Sequence, residues 1–428
     1  MENMSNPSDK SAPQRAMADL PVAAPEALGF DGRRLRQAMA IVEEGQTAGA
    51  YPGAAALVTR HGRVAGWLAV GLAEVEPNQR PVQGNTLFDL ASLTKAVAGL
   101  SAALLLLDRG AVCLDDAVGR FLPAFEAAEK RGITVRHILS HASGLPPWIP
   151  CYCEARTLEE TVAVIAAAEL EARPGAQVRY SDAGMILLRA IACKVTGEDL
   201  PELLGREVFE PLGMNHTCYL PGPDMRAHAA ATERGNAHEQ AMVSRAGRRF
   251  EGWREEVLVG EVHDGNAHYA LEGVSSHAGL FSTAGDLGRF CGLWLGRGAW
   301  QRRRIFSEGA VAEALRLQTA GLQMGYGLGW RLALRESFSS EAPRESALTR
   351  AVFPPEAEAA PAPHWMGDLR SDRAYGHTGF TGTSLLIDPD RDLAMILLTN
   401  RAHPDASRTG VDHIRARWHN AVIGALAA

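Results

Sequence analysis

Within DGRRLRQAMAIVEEG, residues 31–45, Leu35, Met39 and Ile41 or Val42 recur at helical spacing and predict an amphipathic helix. AAALVTRHGRVAGWLAVG, residues 54–71, reads instead as two strand-like runs on either side of His61-Gly62, a hairpin. FDLASLTKAVAGLSAALLLLDRG, residues 88–110, reads as a buried apolar helix. From about 111 to 317 the pattern is mainly helical. Examples are TLEETVAVIAAAEL (157–170) and MILLRAIACKVTG (185–197), the latter closed by Gly197. Thr283 and Asp286 outline a capping box that opens a helix running through Leu295. The stretch 224–272 is polar, His-rich and poorly periodic, which predicts long loops lying over another part of the molecule.

Strand character returns in YGLGWRLAL (326–334) and in GTSLLIDPDRDLAMILLTN (382–400). The second is the clearest hairpin in the chain: Ser384 to Ile387 and Leu393 to Leu398 flank the turn Pro389-Asp390-Arg391-Asp392. Residues 405–427 read as a closing helix, and 335–372, rich in Ala, Pro and Glu, as a surface insertion. Strands therefore stand at both ends and helices between them. The simple arrangement is one sheet built from both termini (25–110 and 318–428), a helical domain inserted at 111–317, a disordered leader at 1–24, and a site at the junction.

With 46% hydrophobic and 22% charged residues, the composition is that of an ordinary globular protein. A net charge of −7 leaves no basic footprint, so nucleic acid and anionic membrane surfaces are not expected partners. The longest apolar run, AVAGLSAALLLL, has 12 residues and is too short to span a bilayer. The first 20 residues lack the charge and apolar pattern of a signal peptide, which predicts a cytoplasmic protein. The six cysteines, Cys113, Cys151, Cys153, Cys193, Cys218 and Cys291, include no Cys-x-x-Cys pair and are expected to be reduced. A monomer is the expected state.

Ser92 and Lys95 lie three residues apart, on one helical face, at the head of the apolar segment 88–110. A serine at a helix start feels the positive end of the dipole, and burial disfavours a lysine's ammonium form, so the pair can act as nucleophile and base. Two further boxes follow: Tyr180-Ser181-Asp182 just before an apolar helix, and His377-Thr378-Gly379 just before the hairpin. Gly376 and Gly379 allow a substrate close to the backbone. His263, Asp264, His268 and His277 cluster in VHDGNAHYALEGVSSHAG at a spacing that matches no standard metal site. Ordering of a loop over the site is their expected role, and neither metal nor cofactor is expected. No Gly-x-Ser-x-Gly elbow and no Gly-x-Gly-x-x-Gly fingerprint is present.

Taken together, these boxes resemble the serine β-lactamase and penicillin-binding-protein superfamily, and the chain looks closest to class C β-lactamases and the D,D-peptidases and esterases of that fold. The resemblance covers roughly residues 25–425, supported by HILSHASGLP (137–146), VFEPLGMNHT (208–217), GLFSTAGDL (279–287) and YGLGW (326–330). It implies an α/β (α+β) fold in which an antiparallel sheet flanked by helices carries an inserted all-helical domain. It also implies roles: Ser92 as acylating nucleophile, Lys95 sharing in its deprotonation, and Tyr180 as second base. The backbone N–H groups of Ser92 and Phe380 would form the oxyanion hole, and Asp182, His377, Thr378 and Gly379 would border the substrate.

Two positions depart from the pattern. Asp182 stands where the superfamily has Asn, and an ionised Asp beside Lys95 would hold the ammonium form. His377 stands where β-lactamases have Lys, and a neutral imidazole attracts an anionic substrate less. Both changes disfavour an efficient β-lactamase. The expected reaction is ester hydrolysis through an acyl-enzyme on Ser92, with a D,D-peptidase, a D-aminopeptidase-like amidase or a weak β-lactamase as the alternative, and a non-catalytic binding protein behind both.

Overall fold

The computed structural model describes residues 20–334, 347–352 and 364–427. Seven antiparallel strands form one sheet: β1 (Gly53–Arg60), β2 (Arg63–Glu74), β3 (Arg80–Pro81), β4 (Arg331–Leu332), β5 (Tyr375–Thr378), β6 (Ser384–Asp388) and β7 (Leu393–Thr399). Their order is β4-β5-β6-β7-β1-β2-β3, so the two ends of the chain meet where Leu57 of β1 faces Ile396 of β7. The C-terminal hairpin is built as its pattern predicts, with Leu385 opposite Ile396.

Both faces of this sheet are buried, which is why β7 is apolar from Leu393 to Leu398 instead of alternating with polar residues. Along β7, Leu393, Met395 and Leu397 face one core, while Ala394, Ile396 and Leu398 face another, as the two-residue period of a strand requires. The first core is covered by α1 (Gly32–Thr47) and α5 (Val411–Gly424), which bring Leu35, Val42, Ile414 and Trp418 onto it. Asp31 caps α1, its carboxylate accepting the N–H groups of Arg33 and Arg34.

Three elements differ from the sequence pattern. The segment 88–110 is not one helix. Phe88–Asp89 pairs with Ser282 and Phe281 as a short strand, Ala91 turns through φ 46°, and helical turns follow: wide ones over Lys95–Leu100, then α2 (Ser101–Asp108). The polar stretch 224–272 is not plain loop: Ala231–Arg234 pairs with Val257–Val259, and Ala237–Arg245 is a helix between them. Finally, α4 (Ala284–Leu295) lies inside the span read as the helical domain, yet it packs on β1 and β7 of the sheet. Periodicity identified α4 and its Thr283 cap but carried no information about which surface receives it.

Residues 1–19 of the expected leader lie outside the described residues, whereas 20–24 adjoin the sheet: Leu20 is in the core and Ala23 N–H donates to Val64. Most of the expected insertion, 335–346 and 353–363, also lies outside the described residues. Among the described residues no helix is long and apolar enough to cross a membrane.

Candidate active site

The short strand at Phe88–Asp89 ends against a strained turn. Asp89 Oδ1 accepts the N–H of Ala91 at 2.8 Å and so holds that residue in the left-handed region, where a non-glycine residue is uncommon. The next residue is Ser92, half-buried at the head of the helix, and one turn on is Lys95, completely buried. Lys95 Nζ donates to Ser92 Oγ at 2.8 Å and to the carbonyl of His277 at 3.2 Å, and it pairs with Asp182 Oδ1 at 2.6 Å. The ammonium's three N–H bonds are shared among these acceptors and the Tyr180 hydroxyl. Burial pulls the Lys95 ammonium's pKa down, as the sequence reading supposes, but Asp182 and Tyr180 outweigh it and the pKa is raised.

The Tyr-Ser-Asp box is fixed by its own helix start. Ser181 caps α3 (Asp182–Thr196): its Oγ accepts the N–H of Gly184 and donates to the carbonyl of Pro146. Asp182, first residue of α3, donates its N–H to Pro147. Tyr180 therefore projects just ahead of the helix. Its hydroxyl hydrogen-bonds to Lys95 and Ser92, and its ring lies 4.8 Å from Lys95 Nζ. Burial, partly offset by the Lys95 charge, pushes the Tyr180 phenol up to about 12.

The third box closes the cleft from the sheet. Thr381 Oγ1 donates to the Asp89 carbonyl and Thr383 Oγ1 to the Leu90 carbonyl, stapling the turn after β5 onto the nucleophile segment. Gly379 has no room for a Cβ, which would strike the Thr383 hydroxyl and the Leu90 carbonyl. Phe380 lies within this stapled turn, between Gly379 and Thr381. Among the described residues neither the Ser92 nor the Phe380 N–H has a hydrogen-bond acceptor, as oxyanion donors require. Phe380 is clamped: Arg401 Nε donates to its carbonyl at 2.8 Å and the guanidinium sits 4.6 Å over its ring, while His263 stacks on it at 5.3 Å. His377 lies 6.0 Å from Tyr180, ring to ring, and burial, with the Lys95 charge, brings its imidazole down to about 3. It is neutral at any ordinary pH.

A cavity of about 420 Å³ opens here, lined among others by Tyr180, Tyr326, Arg331, Trp365, His377 and Thr378. Arg331 stacks on Tyr326 at 5.3 Å, and no carboxylate among the described residues is ion-paired with it. Every site residue expected from the sequence thus converges: Ser92, Lys95, Tyr180 and Asp182 in direct contact, His377, Thr378, Gly379 and Phe380 around them.

Three groups escaped sequence reading. The His141 ring lies 4.5 Å from that of Tyr180, tilted by 35°, and accepts the N–H of Ser181, although it sits in a stretch read only as framework. Arg331 follows YGLGW directly, and Arg401 follows the last strand; neither carries a motif signal. The His263, Asp264 and His277 cluster is hydrogen-bonded within the protein, His263 with Glu233 and His277 with Asp264, and His268 stands apart against Tyr269.

The beta-lactamase family matches residues 38–417. The N-acetylmuramyl-L-alanine amidase of Bacillus subtilis (strain 168) is 31% identical over 401 residues, covering 88% of this chain and 83% of its own. Among solved structures, a penicillin-binding protein homologue from Caulobacter crescentus superposes with a TM-score of 0.67 at 21% identity, covering 92% of this chain and 98% of its own. EstCE1, a hydrolase with promiscuous acyltransferase activity, superposes with 0.66 at 22%, covering 92% and 99%. A serine held by a buried lysine and a tyrosine, on a sheet that these proteins share, has one consistent reading: the chain belongs to the β-lactamase family and is a serine hydrolase of that fold.

Proposed function

We propose that the protein is an amidohydrolase that acylates Ser92 with peptide-type substrates carrying a free carboxylate, of the N-acetylmuramyl-peptide class. The observation that carries this reading is Arg331. It lines the cavity beside Tyr180, while the imidazoles that share the cavity are uncharged: burial brings His377 to about 3, and partial burial with the nearby guanidiniums of Arg370 and Arg331 brings His364 to about 4. Lys95 is already matched by Asp182. A guanidinium without a carboxylate partner, facing a cavity, is suited to bidentate capture of an anionic group. The 31% identity to the Bacillus subtilis amidase supports an amide bond as the target. Simple esters react at the same serine without that anchor, so the ester reading stands second, favoured by the neutral His377.

In this reading Ser92 Oγ attacks the carbonyl while its proton passes to the Tyr180–Lys95 pair and on to the leaving amine. The N–H groups of Ser92 and Phe380 hold the oxyanion. Water then attacks the acyl-Ser92, losing its proton to the same pair. Lys95 as an ammonium and Tyr180 as a phenol are the resting forms, so the reactive enzyme is the singly deprotonated pair. Intact-mass measurement after incubation with an N-acetylmuramyl peptide, a D-Ala-D-Ala peptide and p-nitrophenyl acetate identifies the acyl donor. Arg331→Gln is expected to raise KM for the carboxylate-bearing donor on the order of tenfold or more, leaving p-nitrophenyl acetate unchanged. Equal KM for acid and carboxamide forms of the peptide in the unmodified enzyme refutes the anchor, and absence of any adduct on Ser92 refutes the hydrolase mechanism.

A further inference from the structure

His263 and Asp264 are not reacting groups, yet together they reach the turn that presents Ser92, Phe380 and, through His277, Lys95. The His263 N–H donates to Asp89 Oδ2 at 2.7 Å, and Asp89 holds the turn that presents Ser92. The His263 ring stacks on Phe380. Asp264 Oδ1 pairs with His277 Nε2 at 2.9 Å, and the other ring nitrogen of His277 shares a hydrogen bond with Ser275 Oγ at 2.7 Å. The main-chain carbonyl of His277 accepts a hydrogen bond from Lys95 Nζ at 3.2 Å.

We propose that Asp264 is a positioning residue for Lys95, acting through His277. A buried imidazole gripped at both nitrogens cannot rotate, so the residue's carbonyl stays aimed at Lys95 Nζ. The same carboxylate is a second anion near Lys95, after Asp182. Burial raises the Asp264 carboxyl, but His277 and, more weakly, Lys95 outweigh it and hold it well below the usual range. The other titratable groups facing Lys95 are Tyr180, Tyr326, Asp182, and the imidazoles of His141 and His377, both held neutral chiefly by burial. Behind Asp264 stands Glu239, which accepts from Tyr152 Oη and the Gly265 N–H and is pushed up to about 7 by burial and by Asp264. The proposal rests on Lys95 belonging to the proton-transferring pair on Ser92.

The test uses the full chain and reads the rate of Ser92 labelling by a fluorophosphonate across pH. Asp264→Asn keeps the size and an acceptor but removes the charge. Loss of an anion destabilises the ammonium, so the acid limb moves to lower pH. The neutral amide grips His277 more weakly than the carboxylate, which slows labelling on the order of tenfold above the limb, a fraction of what general base catalysis contributes. KM for p-nitrophenyl acetate stays unchanged. Ser275→Ala removes the other grip and keeps the charge, so labelling slows without a shift of the limb. A folded Asp264→Asn variant with wild-type rate and limb overturns the proposal. If that variant does not fold, a wild-type labelling rate in Ser275→Ala overturns it instead. A wild-type protein that no fluorophosphonate labels refutes Ser92 as the nucleophile and the proposal with it, whereas normal wild-type labelling beside unaltered variants refutes the proposal alone.

Discussion

Lys95 is the residue on which the chemistry turns, and its charge is decided by its neighbours. Burial alone would neutralise it, but Asp182 at 2.6 Å reverses the outcome. The same carboxylate disfavours the Tyr180 phenolate, so it raises both pKa values of the pair. Asp182→Asn removes an anion from both groups and lowers both. The acid limb of kcat/KM is therefore expected to move to lower pH by about one unit or more, equivalent to roughly 1.4 kcal/mol per unit. Rates measured from pH 5 to 10 check this, and an unchanged limb would mean that Asp182 does not set the charge on Lys95. The Asn-to-Asp departure was visible in the sequence, and so was the direction of its effect. The 2.6 Å distance that makes it dominant was not.

At the scale of elements, the site depends on how two turns meet. The nucleophile turn ends a short strand, and the turn after β5 lies against it through Thr381 and Thr383. Gly379 is at the contact, where only a hydrogen side chain fits. Gly379→Ala is expected to push the Phe380 N–H away from Ser92 and lower kcat on the order of a hundredfold, as loss of one oxyanion donor does. KM for p-nitrophenyl acetate should change little, and steady-state kinetics separate the two. Pattern reading treated 88–110 as a continuous helix because its apolar residues run unbroken. The strand at Phe88–Asp89 forms through pairing with residues near 281, a contact that no local period encodes.

Across the whole molecule, a sheet made from both termini carries the reacting groups on one side and a separate core on the other. Leu397 faces the core under α1 and α5 and is completely buried. Leu397→Ala is expected to cost about 3 kcal/mol of stability through lost transfer energy and a residual cavity. Thermal and denaturant unfolding should report that loss, while the pH profile of the remaining folded enzyme stays that of the wild type. A shifted profile would mean that the two cores are not independent. The C-terminal hairpin, both flanking helices and the α4 cap were legible because each is a local pattern of period, turn or cap. The seat of α4 on the sheet was not, because a helix's apolar stripe states that it must be covered and not by what.

By itself the sequence determined the reacting types and their grouping: Ser92 with Lys95 by helical spacing, Tyr180 and Asp182 at a helix start, His377 to Phe380 at a strand end. It also indicated five of the sheet's seven strands, β1, β2, β4, β6 and β7. Only the tertiary structure decided the charge of Lys95, the neutrality of His377, the place of Arg331 in the cavity, and the ties from Asp264 to Lys95 and from Arg401 to Phe380. The physical reason is the same for all five. Propensity, period and capping act between residues a few positions apart. Charge, desolvation and hydrogen bonding act over ångströms, between residues that the chain separates by up to about 300 positions.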